Sequence, residues 1–126
     1  MPYTLLYNEN HDIVELRFRD SATFKDHLDS RQEVIKLCIE KCTSKILVHL
    51  NNLDTKGSVS KKEQFEFAKS WDGNISNKLH FAVVMPEDYD SKNEFYFIVH
   101  MSKINGIIMK EFYNEELAIK WLNSLK

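Results

Sequence analysis

Two short apolar runs constrain this chain most: Ile-Leu-Val-His-Leu at residues 46–50 and Leu-His-Phe-Ala-Val-Val-Met at residues 79–85. Neither leaves a continuous polar face, so each fits a strand covered on both sides, as in a parallel sheet. Parallel neighbours need a crossover between them, and helical patterns lie around both runs. Residues 22–42 space Phe24, Leu28, Arg31, Ile35, Cys38 and Cys42 by threes and fours, with Val34 and Ile39 widening the stripe. Ser21 or Thr23 is placed to cap that helix, and the polar stretch Asp29-Ser30-Arg31-Gln32 predicts a break or shift within it. Ser60-Lys61-Lys62-Glu63 and Ser91-Lys92-Asn93-Glu94 are capping boxes. They open a helix that ends before Gly73 and another that ends at Gly106.

The two ends complete the pattern. Residues 3–8 and 12–19 read as strands joined by the polar turn Asn8-Glu9-Asn10-His11, a hairpin. In the second, Ile13, Glu15, Arg17 and Arg19 alternate with Val14, Leu16 and Phe18, which predicts one buried and one wetter face. Residues 107–113 read as a strand and 115–125 as a helix capped by Asn114, with Leu117, Ala118, Trp121, Leu122 and Leu125 turned inward. Glu115 and Glu116 suit the positive end of that helix. The order is β-β-α-β-α-β-α-β-α: a mixed, mostly parallel five-stranded sheet with four helices, in one α/β domain over residues 1–126.

Composition excludes several classes of function. The 126 residues carry a formal net charge of −2, without the basic excess expected of a nucleic-acid binder. No apolar run is long enough for a membrane span, and no basic segment followed by a hydrophobic one opens the chain, so a cytoplasmic setting is expected. Cys38 and Cys42 do not form a disulfide framework; core packing is expected of both.

The loop after the first apolar run is the main candidate site. Asn51, Asn52, Asp54, Thr55, Lys56 and Ser58 follow a strand's carboxyl end, and Ser60 opens the next helix. Ligands of open α/β sheets bind beyond such ends, and free amides at a helix start favour an anion. The same residue types are also ordinary turn and cap residues. Tyr89 lies in the loop 86–90 that leaves the second run, and Tyr96 in the helix that follows it. Phe95, Tyr96 and Phe97 cover most of a helix circumference, so one or two of them point away from the sheet and suit a homodimer contact. His49 and His80 fall at different heights on neighbouring strands, which disfavours a shared metal or an acid–base pair; each is expected to donate to a backbone carbonyl. No nucleophile elbow, Walker motif, Gly-x-Gly-x-x-Gly or His-x-x-x-His spacing is present. No catalytic residue, metal ligand or cofactor is therefore assigned, and the balance leans away from an enzyme.

These residues resemble the SpoIIAA-like branch of the STAS superfamily, also labelled STAS/SEC14-like. The likeness runs through the opening hairpin, Lys45 to Leu53, Gly57-Ser58-Val59-Ser60, Phe81-Ala82-Val83-Val84 and the ending Phe112-Tyr113-Asn114-Glu115-Glu116-Leu117-Ala118-Ile119-Lys120-Trp121-Leu122. It implies a SpoIIAA-like fold more than an activity; with the polar exit loops and the surplus aromatics it suggests a non-enzymatic binding or regulatory module that meets a protein partner at its strand-end loops. The better-known members are switched by phosphorylation of a serine in Asp-Ser-Ser-Gly. Here the corresponding stretch is Asp54-Thr55-Lys56-Gly57, with Lys56 before the glycine and the motif too close to the strand. The phosphoserine switch is therefore not carried over. The SEC14-like label and the Phe, Met and Trp content suggest the alternative, a carrier of a small apolar ligand or lipid in an apolar pocket.

Overall fold

The computed structural model describes residues 3–19, 23–50, 62–63, 66, 79–85, 100, 103 and 107–125. Five strands, β1 (Tyr3–Asn8), β2 (Ile13–Phe18), β3 (Lys45–His49), β4 (His80–Val84) and β5 (Ile108–Phe112), form one sheet in the order β1-β2-β3-β4-β5. β1 is antiparallel to β2, and every later pair is parallel, as the pattern of hairpin then crossovers requires. Two helices are described along their length, α1 (Phe24–Lys41) and α2 (Glu115–Ser124). Lys62, Glu63, Glu66, His100 and Lys103 are helical and fall within the other two expected helices, whose remaining residues lie outside the described ones.

Parity along the strands sorts the side chains into two cores. One face carries Val14, Leu16, Phe18, Ile46, Phe81 and Val83, packed with Val34 and Cys38 of α1. The other carries Ile13, Leu47, Ala82 and Val84, packed with Ala118 and Leu122 of α2. α2 lies over β3, β4 and β5.

The hairpin turn is fixed by side chains. Asn10 donates its amide to Asn8 Oδ1 at 3.1 Å, and Tyr7 donates to Asp12 Oδ1 at 2.6 Å. Asp12 takes a left-handed conformation, φ 56°, one of the few residue types that tolerate it.

α1 departs from expectation in three places. It runs unbroken through Asp29–Gln32, because the buried Ser30 hydroxyl donates to the His27 carbonyl at 2.9 Å and so needs no partner outside the helix. Its inward stripe is His27, Ser30, Val34 and Cys38, whereas Ile39 is 65% exposed. Cys42 does not share the core face. It is the left-handed residue ending the helix, φ 55°, and its thiol is exposed. The amides of Cys42 and Thr43 donate to Ile39 and Cys38 carbonyls, the bond pair of a Schellman end. At the start, Thr23 and Asp26 form a capping box.

Two strand-and-helix expectations are also corrected. On the row of β2 expected to be wetter, Ile13 and Glu15 are buried, because β2 is an interior strand, while Arg17 and, just past the strand, Arg19 are exposed. On α2, Leu117 is 56% exposed, since the helix turns Ala118 and Leu122 to the sheet and sets Trp121 against Phe112 at its flank. Asn114 caps α2 as expected, accepting from the Leu117 amide at 3.2 Å.

The α1 side also buries an imidazole. The His27 ring lies 4.8 Å from that of Phe18, and burial pushes its pKa down to about 4. Between that value and the ordinary 6.5 the unfolded chain binds a proton that the native state does not. The stability due to neutral His27 is therefore complete above pH 6.5 and is lost as pH falls towards 4. Urea unfolding should show wild type losing up to roughly 3 kcal/mol more than His27→Phe over that window; parallel curves for the two proteins would refute it.

Candidate binding site at the carboxyl ends of the parallel strands

The face beneath α2 is apolar near the strand starts and charged near the ends. Glu15 on β2 and His49, the last residue of β3, are both buried there, at 5% and 2% exposure. The β2–β3 register pairs Arg17 with His49 and Glu15 with Leu47, so Glu15 sits one two-residue step below Arg17 on the same face. β1 adds Asn8, opposite Ile13, and α2 brings Glu115 over the top in its first turn.

These five side chains form one network. Glu15 Oε2 accepts from Asn8 Nδ2 at 2.9 Å. Glu15 Oε1 accepts from Arg17 Nη2 and from His49 Nε2, each at 3.2 Å. Arg17 Nη2 also donates to Glu115 Oε1 at 3.2 Å, a contact between residues 98 apart in sequence. That same Glu115 oxygen is 3.8 Å from His49 Nε2.

The electrostatics give each group a state. Burial pushes the Glu15 carboxyl up, but the Asn8 amide, the His49 ring and the Arg17 guanidinium together outweigh it and hold it below the usual carboxylate range. Burial, with Arg17 adjacent, pushes the His49 ring down against the opposing pull of Glu15 and Glu115. An ionised Glu15 can only accept, so the His49 nitrogen facing it must carry the proton: neutral His49 is the Nε2–H tautomer.

The residues singled out from the sequence occupy a different part of the chain. Asn51, Asn52, Asp54, Thr55, Lys56, Ser58, Ser60, Tyr89, Phe95, Tyr96 and Phe97 all lie outside the described residues. Their segments are entered from adjacent strand ends: Leu50 donates its amide to Val84 O at 2.9 Å, and Met85 to Phe112 O at 2.7 Å. The charged network lies at this same end of the sheet. His49 and His80 stand four rows apart, as expected. The backbone-carbonyl partner expected of His49 is replaced by the Glu15 carboxylate, because parallel pairing sets β2's acid beside β3's last residue. The signal available in the sequence was a lone carboxylate, Glu15, two residues from Ile13 in an otherwise apolar stretch of strand.

Glu15 is the hub, so its loss should cost far more than that of Glu115. Glu15→Ala leaves the buried His49 ring and Asn8 without their acceptor and takes one of its two carboxylates from Arg17, and is expected to destabilise by about 3 kcal/mol. Glu115→Ala, at a half-exposed pair, should cost about 1 kcal/mol or less. Chemical denaturation measures both, and equal effects would show that Glu15 is not the centre of the network.

No family model matches the chain, and no curated protein matches it. Among solved structures, the chain is similar to an uncharacterized protein of the DUF3478 family with a SpoIIAA-like fold from Shewanella loihica PV-4. The TM-score is 0.58 at 12% identity, covering 95% of this chain and 91% of that one. The hairpin, the parallel crossovers and the likeness over nearly the whole length agree: the chain has a SpoIIAA-like fold.

Proposed function

We propose that this domain is a non-enzymatic binding or regulatory module that engages a protein partner at the carboxyl-end edge of its sheet. The observation that carries this reading is the anchoring of two exposed charges, Arg17 and Glu115, on two buried titratable groups, Glu15 and His49. A buried ionic cluster is no more stabilising than well-packed apolar residues would be, and groups with perturbed pKa values concentrate at functional sites. Its product is a plus–minus pair presented in a set orientation. Such a pair loses little side-chain freedom on docking and favours a partner of complementary charge. Beside it, beyond the reach of α2, the same face exposes Thr4 and Leu6 of β1.

The loops that begin after Leu50 and Met85 extend this surface in the proposal, with Asn51, Asn52, Asp54, Thr55, Lys56, Ser58, Ser60, Tyr89 and Tyr96 as further contacts. No phosphoserine switch belongs to it, since Lys56 precedes Gly57. A second copy docking through Phe95, Tyr96 and Phe97 is a competing partner, which light scattering against concentration separates from a foreign one. In affinity capture from the source cell's extract, wild type should retain a discrete protein. Arg17→Glu, with its fold checked by circular dichroism, should bind that protein at least about tenfold more weakly. Unchanged capture by the variant, or none by wild type, would contradict the reading.

A further inference from the structure

The network that presents Arg17 is also a set of metal donors. One ligand atom each from Glu15, His49 and Glu115 lies within 4.8 Å of the other two. They come from β2, β3 and α2, so the fold, not local sequence, brings them together. Glu15 Oε1 and His49 Nε2 are 3.2 Å apart, and His49 Nε2 and Glu115 Oε1 are 3.8 Å apart. A tetrahedral zinc ion with bonds of about 2.0–2.2 Å spaces its donors roughly 3.3–3.6 Å apart. The buried pair, at 3.2 Å, is close to that spacing, and the larger movement is that of the half-exposed Glu115, which must draw in.

The two carboxylates of the triangle already hold a positive charge between them. Arg17 Nη2 sits 3.2 Å from both carboxylate oxygens. Two carboxylates against one guanidinium leave one negative charge beside a sheet face, whereas a divalent ion in the guanidinium's place leaves none. Arg17 is 44% exposed at its side chain and can swing into solvent. The positive end of α2 works against a cation here, and Glu115 at that end offsets it.

We propose that Glu15, His49 and Glu115 form a site for a divalent first-row transition-metal ion, zinc fitting best, which takes the place of the Arg17 guanidinium. Two carboxylate oxygens and one imidazole nitrogen are a suitable donor set, and the remaining positions fall to water. On binding, the His49 ring shifts its proton from Nε2 to Nδ1, and the Nε2 lone pair goes to the metal. No net proton is released and no oxidation state changes.

The proposal uses the residues of the docking reading but not its partner, so either can fail alone. Untagged full-length protein is titrated with Zn2+ by calorimetry, and with Co2+ by visible absorption to read inner-sphere ligation. Wild type should bind one ion. Arg17→Gln should bind several-fold more tightly, because the competing cation is gone. Glu115→Gln, a half-exposed change that leaves the core intact, should weaken binding by at least about tenfold, as should His49→Gln if it folds. Tighter binding by Arg17→Gln with loss in Glu115→Gln supports the site. No uptake by wild type and Arg17→Gln, or uptake unaffected by Glu115→Gln, overturns it.

Discussion

A carboxylate held almost out of water is the constraint on which this structure turns. Ionised Glu15 would cost several kcal/mol if its oxygens were left without donors. Three donors answer it: Asn8 from β1, Arg17 from its own strand and His49 from β3. Arg17 then carries the link to Glu115 of α2. Asn8 and His49 are in reach only in the observed registers. A one-residue slip of β2 would turn Glu15 into the α1-side core, away from both. The hydrogen bonds of the network therefore specify the pairing of β1, β2 and β3, while the apolar contacts of Leu47, Ala82, Ala118 and Leu122 supply most of the attraction.

The two faces of the sheet consequently do different work. On the α1 side, Val14, Leu16, Ile46, Phe81, Val34 and Cys38 make a core whose buried imidazole, His27, rests against Phe18. Burial pushes the Cys38 thiol up to about 12, which keeps it an inert packing group. On the α2 side, apolar packing and charged network share one surface, divided along the strands. Ile13 and Leu47 lie at the start of that surface, Glu15 and His49 further on. The helix that seals the apolar half delivers Glu115 to the other, so folding and site assembly are one event there.

Much of this architecture was legible from periodicity. The double-sided runs at 46–50 and 79–85 mark β3 and β4, and the hairpin and the Thr23 and Asn114 caps follow from local chemistry, whereas the spatial order of the strands does not. The errors are those of residues whose role is set across the fold. Ser30 looked like a helix breaker because its internal bond to His27 is not a property of composition. Ile39 and Leu117 fit a helical stripe by spacing, but the helix rotation that seats Val34 or Ala118 turns them outward. The site was hidden for the same reason. Glu15, His49 and Glu115 stand 34, 66 and 100 residues apart in their pairings, and only parallel register plus the path of α2 makes them neighbours. The strand-end loops singled out from the sequence begin after Leu50 and Met85, at the end of the sheet where this network lies, and their residues lie outside the described ones.

The hydrogen bond between Glu15 and His49 is the claim on which the network stands. A long-range 1H–15N NMR spectrum of the histidine rings, taken near neutral pH on metal-free protein, tests it directly. A neutral His49 protonated at Nε2, with the ring's tautomer balance moving away from Nε2–H in Glu15→Leu, which has no acceptor, is the predicted result. A His49 ring protonated at Nδ1 in wild type, or nitrogen shifts unaffected by Glu15→Leu, would contradict it.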